Sequence, residues 1–396
     1  MNSGILKFTA DYVYDGRTLM RDQVLITDKE GKIQDLIPTS AAGEDIQVYP
    51  GLLCPGFVNA HCHLELSHLQ GKIPENTGLV HFLIAVMQKR NTGSMDEIIK
   101  AAEAAEAAMI ESGIIAVGDI SNTTDSIPVK QKRRLFYHTF TEAIGFSDVH
   151  AAERMGQVIK TYQCFTEQGL SASITPHAPY SVSAGLFRRI NEFSQDSVIS
   201  IHNQECEAEN NLYRDGKSSF ESLYSVLHID CHTFKPTGYS SLKSWLPYFS
   251  HQQPLILVHN TFTAEADIQA VVQSKHQAYW CLCPNANAYI EGCMPPVDLL
   301  VKHRAKIVLG TDSLASNHRL SVLEEIKTLQ QHFPRLSLEN LLSWAIYNGA
   351  QALGCDHRFG SFEKGKTPGI VCLHPLRQNR DHSLAVTTQT QAMRVK

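Results

Sequence analysis

The chain has 396 residues, 35 Lys and Arg against 40 Asp and Glu, and 43% hydrophobic side chains. That length exceeds the usual single domain and allows one large domain plus a smaller one, with enough apolar residues for a sizeable core. A net charge of −5 without any basic run gives nucleic acid no electrostatic footing, and no apolar stretch reaches membrane-spanning length. The partner expected is therefore a small-molecule substrate, with a homodimer as the only protein assembly considered.

The opening residues Met1-Asn2-Ser3-Gly4-Ile5-Leu6-Lys7-Phe8 lack the charged and apolar regions of a secretory signal. Ten cysteines lie scattered without paired spacing and read as reduced thiols of a cytoplasmic protein, mostly buried as small hydrophobes. Cys281 and Cys283 sit inside an apolar run without a second pair, which favours a core strand over a zinc knuckle.

Short alternating segments come first: Leu6 to Val13, a turn at Asp15-Gly16, Gln23 to Thr27, Gly31-Lys32, then Gln47 to Leu53. They predict a small antiparallel β unit. From Pro55 the rhythm changes, and eight apolar runs alternate with helical stretches. The runs are 56–59, 114–120, 135–142, 170–175, 198–201, 255–258, 279–282 and 307–309; helices are expected over 95–112, 183–195, 320–332 and 338–353. Eight βα units suit a closed barrel, which needs roughly 250 residues plus insertions. The stretch from Asp215 to Phe249 is too long and too aromatic for a plain connection, and predicts a helical insertion capping the barrel mouth. Beyond Gly360 the chain regains β character. The fold expected is thus α/β: a (β/α)8 TIM barrel over residues 57–359, with a small β-sandwich domain formed by both chain termini, residues 1–56 and 360–396.

Function in a parallel barrel collects at the C-terminal ends of the strands. The first run leads into His61-Cys62-His63, two imidazoles on one face of a strand. Taken alone, His-x-His is only moderately specific. The fifth run ends in His202, with Glu205 three residues on; as an isolated feature Glu205 would read as a solvated helix-start acid. The sixth ends in His259, and the eighth is followed by Asp312, where an acid can equally cap the next helix. Four such coincidences at four strand ends are too many for a purely structural reading and point to a metal site. An ion there lowers the pKa of a bound water to about 7.

At this point the pattern resembles the amidohydrolase superfamily over nearly the whole chain: Pro55-Gly56 before His61 and His63, a fifth-strand His with a following Glu, a sixth-strand His, and Gly310-Thr311-Asp312 on strand eight. Thr175-Pro176-His177-Ala178-Pro179-Tyr180-Ser181 and the segment Gly310 to Asn317 look like the subgroup that deaminates nucleobases, nucleosides and triazines. No lysine follows the fourth run to be carbamylated, which argues for one metal and not two. The resemblance implies that His61, His63, His202 and Asp312 ligate one divalent metal ion, zinc or iron, since imidazole and carboxylate suit both. It further implies that Asp312 accepts the water's proton, that His259 orients the hydroxide, and that Glu205 protonates the ring nitrogen and then the leaving ammonia.

For the substrate, Glu65, His177 and Ser316 are the expected contacts; the alternative for Glu65 is a partner to a ligand histidine. The string from Asn59 to Ser67, Asp119 to Asn122 and Val258-His259-Asn260 are similar to the aminodeoxyfutalosine deaminases, which act on an adenine nucleoside with a benzoate-bearing side chain. Arg214, Lys217 or Arg319 are candidates to meet that carboxylate. Two departures stand out. Asn285-Ala286-Asn287 follows strand seven where the family has Ser-Asn, and Gly365-Lys366-Thr367-Pro368-Gly369-Ile370 replaces the usual C-terminal signature. Alternatives are deaminases of S-adenosylhomocysteine, methylthioadenosine, guanine, cytosine or a pterin, a chlorohydrolase or cyclic-amide hydrolase on the same site, and a non-catalytic scaffold.

Overall fold

A computed structural model describes residues 4–195, 197–231 and 234–396, so Met1–Ser3 of the N-terminal reading lie outside the described residues. The chain divides into two compact units: Met1–Ala60, Ala107–Val117 and Ser321–Lys396 in one, His61–Glu106 and Gly118–Leu320 in the other.

The first unit holds a seven-stranded sheet. Ile5–Tyr14, Gln23–Asp28 and Ile33–Pro38 pair antiparallel in sequence. Gln47–Cys54 then lies beside Ile5–Tyr14 in parallel register, Phe8 opposite Gln47 and Val13 opposite Leu53. This corrects the expectation of a purely antiparallel unit. Parallel pairing needs a return crossover, and the excursion through the two intervening strands supplies it. A register shift between Ala10 and Tyr12 lets Ala10 and Val13 face one core despite their odd spacing. Both termini share the sheet, because Val371–His374 pairs with Gln47–Cys54 and Gln391–Arg394 pairs with Val371–His374. Phe8, Leu25, Ile33, Leu53, Phe362 and Ile370 close its core.

The helix expected over 338–353 is present as Leu338–Ser343 and Gly349–Ala352 joined by a wider π turn at Trp344–Asn348.

Eight strands match the eight apolar runs within a few residues: β1 Phe57–Cys62, β2 Ile114–Ser121, β3 Phe136–Ala143, β4 Ser171–Pro176, β5 Ile199–Asn203, β6 Leu255–His259, β7 Ala278–Leu282 and β8 Lys306–Leu309. They form two four-stranded sheets, in the order β1-β2-β3-β4 and β5-β6-β7-β8. The second is parallel throughout, with Ile199 opposite Leu255, Leu255 opposite Ala278 and Tyr279 opposite Lys306. Its inner strands are buried along their length, as strands covered on both faces must be. Hydrogen bonds also join the sheets at their ends in the second unit. His202 N–H donates to the His177 carbonyl at 3.0 Å, and the Thr311 and Asp312 N–H groups donate to the His61 carbonyl at 2.9 and 3.1 Å.

The insertion between β5 and β6 is helical, with Glu207–Asp215, Phe220–Val226 and Ser241–Trp245. Its aromatics are anchored by ring stacking, Phe220 on Tyr180 and Tyr224 on Phe146, with centroids 4.2 and 4.8 Å apart. The Tyr213 and Tyr224 hydroxyls donate to the Pro179 and Tyr180 carbonyls at 2.8 and 2.7 Å. Among the described residues no helix is long and apolar enough to cross a membrane, and all ten cysteines are unpaired.

One buried ion pair ties this scaffold to the His61-Cys62-His63 turn. Asp119, on β2, takes Lys130 Nζ at 2.6 Å on one oxygen and the Leu64 N–H at 2.8 Å on the other. Lys130 is fully buried and also donates to Ser121 and Thr139 hydroxyls at 3.1 and 3.0 Å, so all of its ammonium bonds are made inside the protein. Removing one member of such a pair strands the other charge. Lys130→Met is expected to lower stability by about 3–5 kcal/mol in chemical denaturation. A loss below about 1 kcal/mol would show that the pair contributes only as an exposed one does.

Candidate active site

The strand ends bring the expected residues together. His61 closes β1 and His63 follows it; His202 lies near the end of β5, His259 at the end of β6 and Asp312 just past β8. The ligand atoms of His61, His202, His259 and Asp312 all lie within 4.8 Å of one another, and all four residues are buried. His63 joins them, with its Nε2 3.1 Å from His61 Nε2, 3.3 Å from His202 Nε2 and 3.3 Å from Asp312 Oδ1. Close approach of β8 to β1 is a glycine requirement: a Cβ at Gly310 would fall 2.8 Å from His61 Cβ and 2.9 Å from Cys281 Sγ. The backbone turns sharply where the ligands emerge. His259 and Asp312 sit at φ 72° and 56°, left-handed conformations that L side chains adopt at a cost and that cluster at functional sites.

Each imidazole is oriented by what its other nitrogen does. His202 Nδ1–H donates to the His177 carbonyl at 2.8 Å, leaving Nε2 with its lone pair toward His63. His259 Nδ1–H donates to Asn287 Oδ1 at 2.8 Å, and its Nε2, buried, makes no hydrogen bond. Burial holds His63 and His202 well below the ordinary imidazole range and His259 at about 4, so the rings are neutral near pH 7. For Asp312 burial favours the neutral acid, but the hydrogen bond with His61 and the surrounding imidazoles outweigh it and hold the carboxyl well below its usual range. Ser316 Oγ donates to its second oxygen. Buried imidazoles with converging Nε2 atoms, a carboxylate and a buried His259 nitrogen without a hydrogen bond form a donor set suited to a divalent ion.

Glu205 stands beside this group, its Oε1 3.5 Å from His259 Nε2. Burial, then the Asp312 charge, push its carboxyl well above the ordinary range. A carboxylate below the turn fixes its backbone: Glu209 accepts the Gln204 N–H at 2.8 Å and the Glu205 N–H at 3.4 Å, and is itself held by Ser241 Oγ at 2.5 Å.

The other expected contacts are placed differently from one another. His177 faces the cavity, with Nδ1 2.7 Å from Ser181 Oγ. Ser316 is fully buried and its hydroxyl is directed at Asp312. Glu65 is buried and its carboxylate is taken up by the Asn122 and Thr123 N–H groups at 3.0–3.1 Å, Thr123 Oγ1 at 2.8 Å and Arg90 Nη2 at 3.1 Å. Arg214, Lys217 and Arg319 are exposed and none lines the cavity; Arg90 and Arg154 line it instead. The cavity, about 840 Å³, runs from the histidines along an apolar wall that includes Leu79, Phe82, Phe146 and Tyr224. Sequence reasoning missed Asn287, Arg90 and Glu142. Glu142, at the end of the third apolar run, carried the same strand-end signal as Asp312; Arg90 carried none.

Residues 52–396 match the Amidohydrolase family. An adenosine deaminase of Helicobacter pylori is 25% identical over 80% of this chain and 77% of its own length. An aminodeoxyfutalosine deaminase of a Nitratiruptor species is 24% identical over 78% of this chain and 76% of its own. The crystal structure of Helicobacter pylori aminofutalosine deaminase with methylthio-coformycin superposes with a TM-score of 0.81, covering 95% of this chain and 94% of that one at 21% identity. Its fold is that of this chain, α/β with parallel sheets. A family match over more than four-fifths of the sequence, on a strand-end cluster of His and Asp, makes the chain a member of the amidohydrolase family.

Proposed function

We propose that the protein is a metal-dependent aminohydrolase that deaminates an adenine nucleoside, releasing ammonia. The observation that carries this reading is the buried convergence of His61, His202, His259 and Asp312 within 4.8 Å, with the Glu205 carboxyl 3.5 Å from His259 Nε2 on its edge. His61, His63, His202 and Asp312 would hold one divalent ion, zinc or iron; when bound, it supplies a polarised, readily deprotonated water. Asp312, ionised, accepts the proton that the attacking water gives up. His259, held by Asn287, orients that water with its free Nε2. Glu205 donates its proton to the purine nitrogen beside the attacked carbon, then relays a proton to the departing amine. One C–O bond forms, one C–N bond breaks, and the products are ammonia and the 6-oxo nucleoside.

The two four-stranded sheets are read as arcs of one closed (β/α)8 barrel. The hydrogen bonds that link His61 to Asp312 and His177 to His202 support that closure. The lead substrate is 6-amino-6-deoxyfutalosine. The cavity is near the upper end of ordinary ligand pockets, apolar along its wall, and Arg154 on its lining offers a partner for a distal carboxylate. The relatives named above act, by their names, on adenosine and on aminodeoxyfutalosine, and both substrates carry the group this site is built to attack.

The metal-loaded protein is expected to release ammonia from adenine nucleosides in a screen that also includes bases and pterins, with loss of adenine absorbance. A nucleoside panel left intact while a cyclic amide or chloro-heterocycle is hydrolysed would overturn the deaminase reading. Glu205→Gln and Asp312→Asn should each lower kcat by roughly 10²–10⁴-fold, the usual scale for a lost acid–base group, with an unchanged melting profile. Full activity in either variant would remove its side chain from the proton pathway.

A further inference from the structure

We propose that Glu142 binds a sugar hydroxyl of the substrate and so sets selectivity between ribosyl and deoxyribosyl nucleosides; this rests on the deaminase reading above. Glu142 is at the C-terminal end of β3, where side chains face the cavity, and it is one of the residues lining that cavity. Its two oxygens are in different situations. Asn122 Nδ2 donates to Oε2 at 2.9 Å, and Asn122 is itself fixed through its N–H to Glu65 and through its Oδ1 near Arg90. Oε1 is buried and has no hydrogen-bond partner. The residue as a whole is only 6% exposed.

An orientating role toward His202 does not account for that oxygen. Oε1 lies 3.4 Å from His202 Nδ1, but that N–H already donates to the His177 carbonyl at 2.8 Å. A second metal is not favoured either. Glu142, His177 and His202 place ligand atoms within 4.8 Å of one another, yet the His202 nitrogen on that side is Nδ1, which would have to give up its bond to the His177 carbonyl. Buried polar atoms are nearly always paired, so an unpartnered carboxylate oxygen on a cavity-lining residue, its other oxygen already held by Asn122, marks a place for a partner brought by the ligand.

A hydroxyl fits best. It donates to a carboxylate and accepts from a carboxylic acid, so it pairs with Glu142 in either protonation state. Position agrees. Oε1 is on the far side of the His202 ring from the Nε2 that faces the metal cluster. A nucleoside with its amino-bearing carbon at that cluster carries its sugar hydroxyls a ring's length away. In this arrangement Glu65 is a positioning residue, since it reaches the substrate only through Asn122 and Arg90.

The test measures kcat/KM of the zinc-loaded protein on adenosine and its 2′-deoxy and 3′-deoxy analogues, for wild type, Glu142→Ala and Glu142→Gln, with metal content recorded for each. Wild type should prefer the ribosyl substrate over one deoxy analogue by roughly ten- to a hundredfold, the scale of a lost hydrogen bond to a buried group. That ratio should collapse toward one in Glu142→Ala and survive in part in Glu142→Gln, which keeps a donor and an acceptor. Should Glu142→Ala not fold, an unaltered ratio in the isosteric Glu142→Gln together with an equal ratio for wild type on both deoxy analogues overturns the proposal. Deamination with no ribosyl preference in wild type, or with an unchanged ratio in Glu142→Ala, overturns it while leaving the deaminase reading intact. A ratio unchanged but metal content reduced assigns Glu142 to His202 instead. Absence of ammonia from every nucleoside overturns both readings together.

Discussion

Several imidazole nitrogens and a carboxylate oxygen are crowded into a few ångströms of buried space, and the rest of the second unit is arranged around that constraint. His63 Nε2 stands 3.1 Å from His61 Nε2 and 3.3 Å from His202 Nε2 in buried space, where crowded polar groups are costly. Such a cluster holds its shape only if the backbone behind each ligand is fixed independently. The fixings are visible one by one: both Thr311 and Asp312 amides on the His61 carbonyl, the His177 carbonyl on His202, Asn287 on His259, Ser316 on Asp312. The left-handed backbone at His259 and Asp312 belongs to the same account, because local strain persists only where the surroundings over-determine it.

The two buried carboxyls are shifted in opposite directions. Burial and the Asp312 charge both raise the pKa of Glu205, because they disfavour a second anion. Asp312 stands among the imidazoles, whose interactions outweigh its burial and lower its pKa. Environment alone separates the two, and the proposed division into base and acid rests on that separation.

The His and Asp cluster was legible in the sequence because the parallel strands are short, apolar and regular. A residue that ends an apolar run ends a strand, and the ends of parallel strands face one mouth. His61, His63, His202, His259 and Asp312 are all found that way. What was not legible is whatever reaches the site by a turn. Asn287 arrives from the helix Pro284–Glu291 after β7, where the sequence Asn285-Ala286-Asn287 departs from the family pattern, and yet the Asn at the third of those positions meets His259. Arg90 comes from the end of the helix Leu79–Lys89, where it looks like any helix-terminal cation. The strand Ile33–Pro38 escaped notice because Gln34 and Asp35 interrupt its apolar positions and a proline ends it. Parallel pairing of Ile5–Tyr14 with Gln47–Cys54 depends on the path of the chain, which alternation does not encode.

On the proposed reading, selectivity is built from different material than catalysis. The proposed catalytic groups come from strand ends or just past them, where the sheet fixes the backbone. The cavity wall comes from the helix Leu79–Lys89 and from the insertion, whose Phe220 and Tyr224 are stacked on Tyr180 and Phe146. Those rings can change without disturbing a ligand, so the wall can be refitted to a longer or more polar substituent at little cost to the chemistry. Glu142 lies between the two: a strand-end residue by position, and a cavity-lining residue with one buried oxygen unpartnered. A hydrogen-bonding group so placed discriminates more sharply than any change in the apolar wall, because a missing hydroxyl leaves a buried oxygen unpaired while a missing methylene leaves only space.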